Sequence, residues 1–185
     1  MIEADQLPTL TAPRVTLRWL TGQDVDALYG IFSTPEVMTY WSCPPYQDIA
    51  EAKALLASIE SGFETKTLFQ WGVASNEDDS IIGTCTLFQL DAGNRRAEIG
   101  YVLGREHWGK GYMSEALMRL MAFCFEDLDL VRLEADVDPH NSASIRSLER
   151  LGFQREGFLR ERWIVDGKIM DSLFYGLLRR DWEAR

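Results

Sequence analysis

The sequence predicts one mixed α/β (α+β) domain, built on a single, largely antiparallel central sheet of about six to seven strands and flanked by about four helices. Three observations lead to this prediction. The chain has 185 residues, enough to bury one substantial core. Strand-like segments are interleaved with segments of helical periodicity. Several of the strand-like segments follow one another across short polar turns, as hairpins do.

The N-terminal part of the chain contains one strand and two helices. RVTLRWL, residues 14–20, is predicted to be a strand. Thr21 and Asp24 then form a capping-box-like start to a helix. The segment that follows, MTYWSCPPYQ, is irregular because its prolines cannot continue a helix. Asp48 is the expected N-cap of the second helix, IAEAKALLASIESGF.

The rest of the chain alternates strands with two further helices. Three strands come in series, LFQWGVAS, IIGTCTLFQL and RAEIGYVLG. A helix is expected from about Tyr112 to Glu126, followed by the strand VRLEADVD and a short helix that Gly152 ends. The last two strands form a hairpin on a turn at Asp166 and Gly167.

Composition argues against several classes of protein. A net charge of −10 argues against nonspecific binding to nucleic acid. The N-terminal segment lacks the apolar core of a signal peptide, and no apolar run is long enough to cross a bilayer, so we expect a cytoplasmic protein. The three cysteines lie outside any C-x-x-C pair and are expected as small core residues. His107 and His140 lack metal-ligand spacing, so no metal site is predicted.

The segment GREHWGKG, residues 104–111, has the composition of a phosphate-binding loop and lies between a predicted strand and a predicted helix. It nearly matches the nucleotide-binding pattern G-x-x-x-x-G-K-[ST], but Gly111 stands where a hydroxyl must ligate Mg²⁺. The shorter motif G-K-G at a helix start needs no metal. Its glycines admit a pyrophosphate close to the backbone, and the free N–H groups of the first helical turn bind it. A plain turn before a helix explains the same residues equally well.

The surroundings of this loop resemble the GNAT superfamily of acetyl-CoA-dependent N-acetyltransferases. EIGYVL, HWGKGYMSEAL, VDPHNSASIRSLERLGF and MDSLFYGLLRRDW follow in the family's order and look like the branch of the ribosomal-protein N-terminal acetyltransferases (RimJ/RimL type). The resemblance implies the GNAT (acyl-CoA N-acyltransferase) fold over residues 10–183, with residues 1–9 as an N-terminal extension. It also implies acetyl-CoA as co-substrate and a primary amine as acceptor, best the α-amine of a protein or peptide N-terminus.

The resemblance further implies where coenzyme A would bind. The family's pyrophosphate motif, R/Q-x-x-G-x-G/A, falls on residues 106–111, and Glu106 departs from it, so Arg105 or Lys110 is the expected cationic contact. Asn141 matches the position that binds the pantetheine arm, and it is equally suited to cap the helix that follows. The expected coenzyme-binding residues are Tyr101, Val102, Leu103, Trp108, Gly109, Lys110, Gly111, Tyr112, Met113, Asn141 and Ser144.

The catalytic groups are less closely defined. Leu148 occupies the position from which tyrosine-bearing GNAT members protonate the leaving thiolate, so Ser144 or a water is expected to serve. Strand alternation in VRLEADVD places Glu134 and Asp136 on one face. These two and Glu98 are the candidate general bases, directly or through water. For any one of them an ion pair near the surface is the commoner role.

Aromatic residues suggest where the acceptor would bind. Tyr40, Trp41 and Tyr46 lie in the proline-containing segment, which borders the acceptor pocket in the GNAT fold, and they are candidate substrate contacts through stacking. Trp71 and Trp108 are expected to be packing residues.

Several alternatives stay open at this level. The glutamate that serves as base in the late hairpin of the ribosomal branch aligns with Trp163, so that role is not transferred to this chain. A small-molecule amine (antibiotic, polyamine or amino acid) fits as acceptor as well as a protein N-terminus does. An NTPase and a catalytically silent acyl-CoA-binding regulator are the rival functions. Monomer and homodimer are both compatible with the sequence.

Overall fold

In the computed structural model, which describes residues 6–185, eight strands form a single sheet. The strands are β1 (Leu10–Thr11), β2 (Val15–Arg18), β3 (Leu68–Ser75), β4 (Ile81–Asp91), β5 (Arg96–Leu103), β6 (Arg132–Val137), β7 (Gln154–Val165) and β8 (Lys168–Leu178). Their order across the sheet is β1-β2-β3-β4-β5-β6-β8-β7, and every neighbouring pair is antiparallel except β5 and β6. The predicted fold class is confirmed, with one strand more than expected. The additional strand, β1, has two residues, too few to show an alternating pattern.

Six helices accompany the sheet in the described part of the chain. They are α1 (Val25–Phe32), α2 (Pro35–Met38), α3 (Ile49–Glu64), α4 (Tyr112–Ala122), α5 (Ser142–Arg150) and α6 (Arg179–Glu183), and α4 continues into a π-helical segment at Phe123–Asp127. Four of them correspond to the predicted helices. The other two, α2 and α6, have four and five residues, too few for a helical period to be recognisable. None of these helices is long and apolar enough to span a membrane.

The predicted helix boundaries rest on caps that the structure contains. Thr21 and Asp24 form a reciprocal capping box before α1, and Asp48 forms one with Glu51 at the start of α3. Gly152, just after α5, has a φ of +91°, which a residue with a side chain adopts only with strain. The predicted extension at residues 1–9 lies partly outside the described residues.

The helices cover the two faces of the sheet with two apolar clusters. The first packs α4 against the central strands and includes the fully buried Trp71. The second packs α1 and α3 on the opposite face and includes Val102. Because side chains alternate along a strand, Glu98 points to the same face as Val102. Cys85 and Cys124 are buried as expected, whereas Cys43 is only half-buried at the edge of the second cluster.

One break in the sheet places the candidate site. β5 and β6 pair in parallel over three positions, the last of which joins Glu98 to Glu134. Beyond it, β5 continues beside β4 and β6 continues beside β8, so the two strands separate. Residues 99–103 therefore have one edge that no strand of the described chain pairs with. We call this opening the strand gap.

Candidate active site

The predicted phosphate loop lies between β5 and α4. A short 3₁₀ turn, Arg105–His107, is followed by Gly109 and by Gly111, with φ angles of +73° and +85°, and Gly111 is the N-cap of α4. Among the described residues, none accepts a hydrogen bond from the backbone N–H groups of residues 109–113. Unpaired N–H groups at the positive end of a helix dipole form an anion site, so this loop fits a pyrophosphate.

The side chains around the loop differ from the sequence-based expectation at one point. Trp108 is 41% exposed, so its predicted role as a packing residue is wrong. Its indole N–H donates to the Leu103 carbonyl oxygen (2.6 Å), and the Arg105 guanidinium lies over its ring at 4.8 Å from the centroid. The Leu103 carbonyl is therefore already bonded within the protein. Lys110 is exposed beside the free amides, as a cationic contact requires.

A pair of hydroxyls lies beside the strand gap. Tyr101, on the part of β5 that has left β6, places its Oη 2.6 Å from Ser144 Oγ on α5. The Ser144 backbone N–H in turn donates to the Asn141 side-chain oxygen (3.1 Å), so Asn141 caps α5. Burial raises the pKa of the Tyr101 phenol to about 12. Leu148 is buried and offers no proton, whereas α5 places the Ser144 hydroxyl against the Tyr101 phenol, with the Ser147 hydroxyl close by.

Glu98 is the predicted base that stands apart from the others. It lies where β5 and β6 separate, and it is only 8% exposed. Burial, together with the negative charges of Asp136 and Glu134, raises the pKa of its carboxyl to about 7. Within the part of the chain that the structure describes, no side chain donates a hydrogen bond to this carboxylate. A carboxyl group that titrates near neutrality can accept a proton at physiological pH.

Glu134 is held by two arginines. Its carboxylate accepts hydrogen bonds from Arg96 (2.7 Å) and from Arg132 (2.7 Å). Both oxygens of this carboxylate are therefore occupied by guanidinium donors within the protein. The ion-pair role that the sequence left open for this residue is the one observed.

Asp136 is likewise engaged by its neighbours. It accepts hydrogen bonds from the Ser172 hydroxyl and from the Trp163 indole N–H (3.2 Å), and Arg162 lies 3.7 Å away. Ser172 was not expected at the site, because strand alternation does not reveal which residues of the last hairpin reach β6, whereas Trp163 aligns with the hairpin glutamate of the ribosomal branch. Of the three predicted bases, the structure leaves Glu98 as the one without a bonded partner.

The predicted acceptor contacts lie on the face of the sheet that carries Glu98. The rings of Trp41 and Tyr46 pack against Phe32, with centroids 5.7 and 5.4 Å from it, and belong to the edge of the second cluster. Tyr40 is 43% exposed. Among residues 6–185 no three His, Cys, Asp or Glu side chains are grouped as they would be around a metal ion.

Comparison with known proteins agrees with this geometry. The family model described as an acetyltransferase (GNAT) domain matches residues 14–154. An uncharacterized N-acetyltransferase p20 from Bacillus licheniformis is 39% identical over 95% of this chain and 99% of its own. The [ribosomal protein uS5]-alanine N-acetyltransferase of Escherichia coli is 30% identical over 70% of this chain and 68% of its own.

Solved structures share the whole fold. A crystal structure described as a probable acetyltransferase superposes with a TM-score of 0.84 at 28% identity, over 95% of this chain and 99% of its own. Mycobacterium smegmatis RimJ with CoA-disulfide has a TM-score of 0.83 at 22% identity, over 94% and 87% of the two chains. Spermidine N-acetyltransferase from Vibrio cholerae, with CoA and spermine, has a TM-score of 0.80 at 24% identity, over 92% and 98%.

An open strand edge beside a loop of unpaired amides is the geometry expected of a coenzyme A-dependent acyltransferase. The chain belongs to the GNAT family, and it is an N-acetyltransferase that uses acetyl-CoA.

Proposed function

We propose that this acetyltransferase acts on the α-amine of a protein or peptide N-terminus, with Glu98 as general base. The observation that carries the proposal is the position of Glu98, a buried carboxyl with a pKa of about 7 at the point where β5 and β6 part. Acetyl transfer consumes a neutral amine, and the base must remove one proton from its nitrogen.

The strand gap and the phosphate loop would hold the coenzyme together. The unpaired backbone amides of residues 109–113 bind the pyrophosphate, and the open edge of β5 at Tyr101, Val102 and Leu103 lies beside the pantetheine arm. The Asn141 side-chain oxygen accepts from the Ser144 N–H, and no acceptor among residues 6–185 bonds its amide N–H₂ group, which is free to donate to the arm. Acetyl-CoA supplies the activated acetyl group, and the protein supplies position, a base and an acid.

In the transfer, Glu98 takes the amine proton directly or through one water while the new C–N bond forms. The C–S bond breaks, and the Ser144 hydroxyl donates a proton to the departing thiolate. A backbone N–H at the open edge of β5 stabilises the negative charge that develops on the thioester oxygen. The amine loses one proton and the thiolate gains one, so the overall reaction is balanced.

The strength of the base favours an α-amine. A peptide α-amino group has a pKa of about 8, against about 10 for a lysine side chain, so its deprotonation costs roughly 3 kcal/mol less. A carboxylate of pKa about 7 is a weak base and is better matched to the α-amine. The similarity to an enzyme named for alanine acetylation on a ribosomal protein supports the same acceptor class.

Most carboxylates near the strand gap already have arginine partners, which argues against a polyamine as the acceptor. A polycation would require several uncompensated carboxylates, yet Glu134 is paired with two arginines and Asp136 has Arg162 nearby. Glu98 therefore remains as a single acidic group without an ion pair, which suits one amine rather than a row of them. The V. cholerae spermidine enzyme is similar in fold, and at 24% identity its acceptor is not transferred.

The test is a comparison of matched acceptors. One peptide carries a free α-amine with its lysine replaced, a second is N-blocked with a free lysine, and spermidine is the third acceptor. We expect kcat/KM, followed by thiol release, to be at least about tenfold higher for the α-amine peptide than for the other two. Acetylation confined to lysine side chains or to spermidine would overturn the proposed acceptor and leave the family assignment in place.

A further inference from the structure

Arg14 joins the N-terminal strands to the phosphate loop. It lies between β1 and β2, and its guanidinium Nη2 donates to the Lys110 carbonyl oxygen (3.0 Å). Its Nε donates to Glu115 Oε1 (2.6 Å), and its backbone N–H donates to Glu115 Oε2 (3.1 Å). The same guanidinium lies 4.8 Å from the centroid of the Tyr112 ring. These contacts place it against both sides of the N-cap of α4.

The bond to the Lys110 carbonyl sets the direction of one loop amide. In a trans peptide unit the C=O and the following N–H point in opposite directions, and no peptide bond of the described chain is cis. Since the Lys110 oxygen points to Arg14, the Gly111 N–H points away from it. That N–H is one of the unpaired amides of residues 109–113. Gly111 has no side chain to restrain this peptide, so an external contact must hold it.

We propose that Arg14 is a positioning residue for the coenzyme: it holds the Lys110–Gly111 peptide in the orientation that presents the Gly111 N–H to the pyrophosphate. The inference rests on the proposed coenzyme site and adds to it a residue from outside the loop. Arg14 is half-exposed and acts through the peptide, and Glu115, at 16% side-chain exposure, anchors it.

A purely structural role for Arg14 would rest on its ion pair with Glu115, which joins two parts of the fold. If the role of Arg14 is only structural, loss of the ion pair with Glu115 should weaken coenzyme binding as much as loss of Arg14 itself. If Arg14 positions the peptide, loss of the ion pair alone should matter less. Glu115→Gln removes the ion pair but keeps an oxygen that can accept from Arg14 Nε, so Arg14 can still bond to Lys110. Arg14→Met removes the ion pair and the bond to the Lys110 carbonyl together.

Calorimetry with acetyl-CoA distinguishes them. We expect Arg14→Met to raise Kd about tenfold, as the loss of a charged hydrogen bond does, and Glu115→Gln to change Kd less than about twofold. In amide NMR spectra the Gly111 signal should shift on coenzyme addition in the parent and in Glu115→Gln, and shift much less in Arg14→Met. Unfolding temperatures of the coenzyme-free variants report any structural loss separately.

Equal weakening in the two variants, or parent-like binding by Arg14→Met, would overturn the proposal. Should Arg14→Met fail to fold, Arg14→Lys serves instead, because a single ammonium cannot reproduce both guanidinium contacts. It should bind acetyl-CoA about threefold more weakly than Glu115→Gln, and equal affinities would again overturn the proposal. A parent protein that does not bind acetyl-CoA would instead refute the coenzyme site itself.

Discussion

Tyr101 Oη and Ser144 Oγ form a 2.6 Å hydrogen bond between the free end of β5 and helix α5. A hydroxyl oxygen can accept one hydrogen bond and donate another at the same time. If the Tyr101 phenol donates to Ser144, the proton of Ser144 is available to a thiolate in the strand gap. With a pKa of about 12, the phenol keeps its proton throughout the working range of pH.

Ser144→Ala is therefore expected to lower kcat by about a hundredfold, the size of effect of a lost general acid, with little change in acetyl-CoA affinity. Tyr101→Phe keeps the ring and removes the hydrogen bond, so it should lower kcat by roughly fivefold. Steady-state kinetics at saturating substrates measure both. A Ser144→Ala enzyme with full kcat would mean that water protonates the leaving group.

Replacing Asn141 separates its two roles. Asn141→Ala should lose about 1 kcal/mol of stability with the helix cap and also weaken acetyl-CoA binding. Asn141→Asp retains a capping oxygen but cannot donate to the pantetheine arm, so it should keep the stability and still bind acetyl-CoA more weakly. Chemical denaturation and calorimetry give the two quantities. Normal affinity in Asn141→Asp would limit this residue to capping.

The base is tested by the pH dependence of kcat/KM. Since Glu98 must be deprotonated and the amine must be neutral, kcat/KM of the parent should rise in two steps, one near pH 7 from Glu98 and one near pH ~8 from the α-amine. Glu98→Gln should lose about a hundredfold in kcat/KM and keep only the step that belongs to the amine. Glu134→Gln is the matched control, because it removes a carboxylate that two arginines already occupy. If kcat/KM of Glu98→Gln still rose with pH near 7, another group would be the base.

The Glu98 carboxyl also makes the stability of the folded protein depend on pH. Its pKa in the folded protein is raised above the ordinary value of 4.5, so the folded state binds the proton more tightly than the unfolded state. The stability that the Glu98 carboxyl contributes to the folded protein is fully present below pH 4.5 and is lost as the pH rises through about 7. Between pH 5 and pH 8 the parent should thus lose stability relative to Glu98→Gln. Equal pH dependence in the two proteins, measured by thermal unfolding, would contradict the raised pKa.

A charge at Gly111 tests the anion site. Asp and Asn tolerate a positive φ similarly, so Gly111→Asp and Gly111→Asn differ mainly in charge. Gly111→Asp should bind acetyl-CoA at least about tenfold more weakly than Gly111→Asn, with a difference that shrinks at high salt. Titrations with and without Mg²⁺ should agree, because the loop lacks a metal-binding hydroxyl. Identical affinities in the two variants would place the phosphates elsewhere.

Local signals account for what the sequence predicted well. The capping box of Asp48, the turn at Asp166 and Gly167 and the glycines of the phosphate loop are set by neighbouring residues, so they are visible in a short window. The elements that escaped prediction, β1, α2 and α6, are too short to complete a period.

Features that depend on distant residues could not be found in this way. Alternation placed Glu134 on a polar face but did not distinguish a free base from a carboxylate bound by Arg96 of the neighbouring strand. The contact of Arg14 with Glu115 joins residues 101 positions apart, and no periodicity reports it. The strand gap is invisible for the same reason, because β5 keeps its alternating pattern whether or not a neighbour is paired with it.

The strand gap also has a thermodynamic consequence. Strand pairing joins β1–β5 to the half of the sheet formed by β6, β8 and β7 at three residue pairs in the described part of the chain. A ligand that fills the opening binds the folded chain alone, and at a concentration of 100 times its Kd it adds about 2.7 kcal/mol to the free energy of unfolding. Hydrogen exchange along residues 99–103 should accordingly slow most when acetyl-CoA is present. The concentration of acetyl-CoA would then set how long the enzyme survives proteolysis as well as how fast it works.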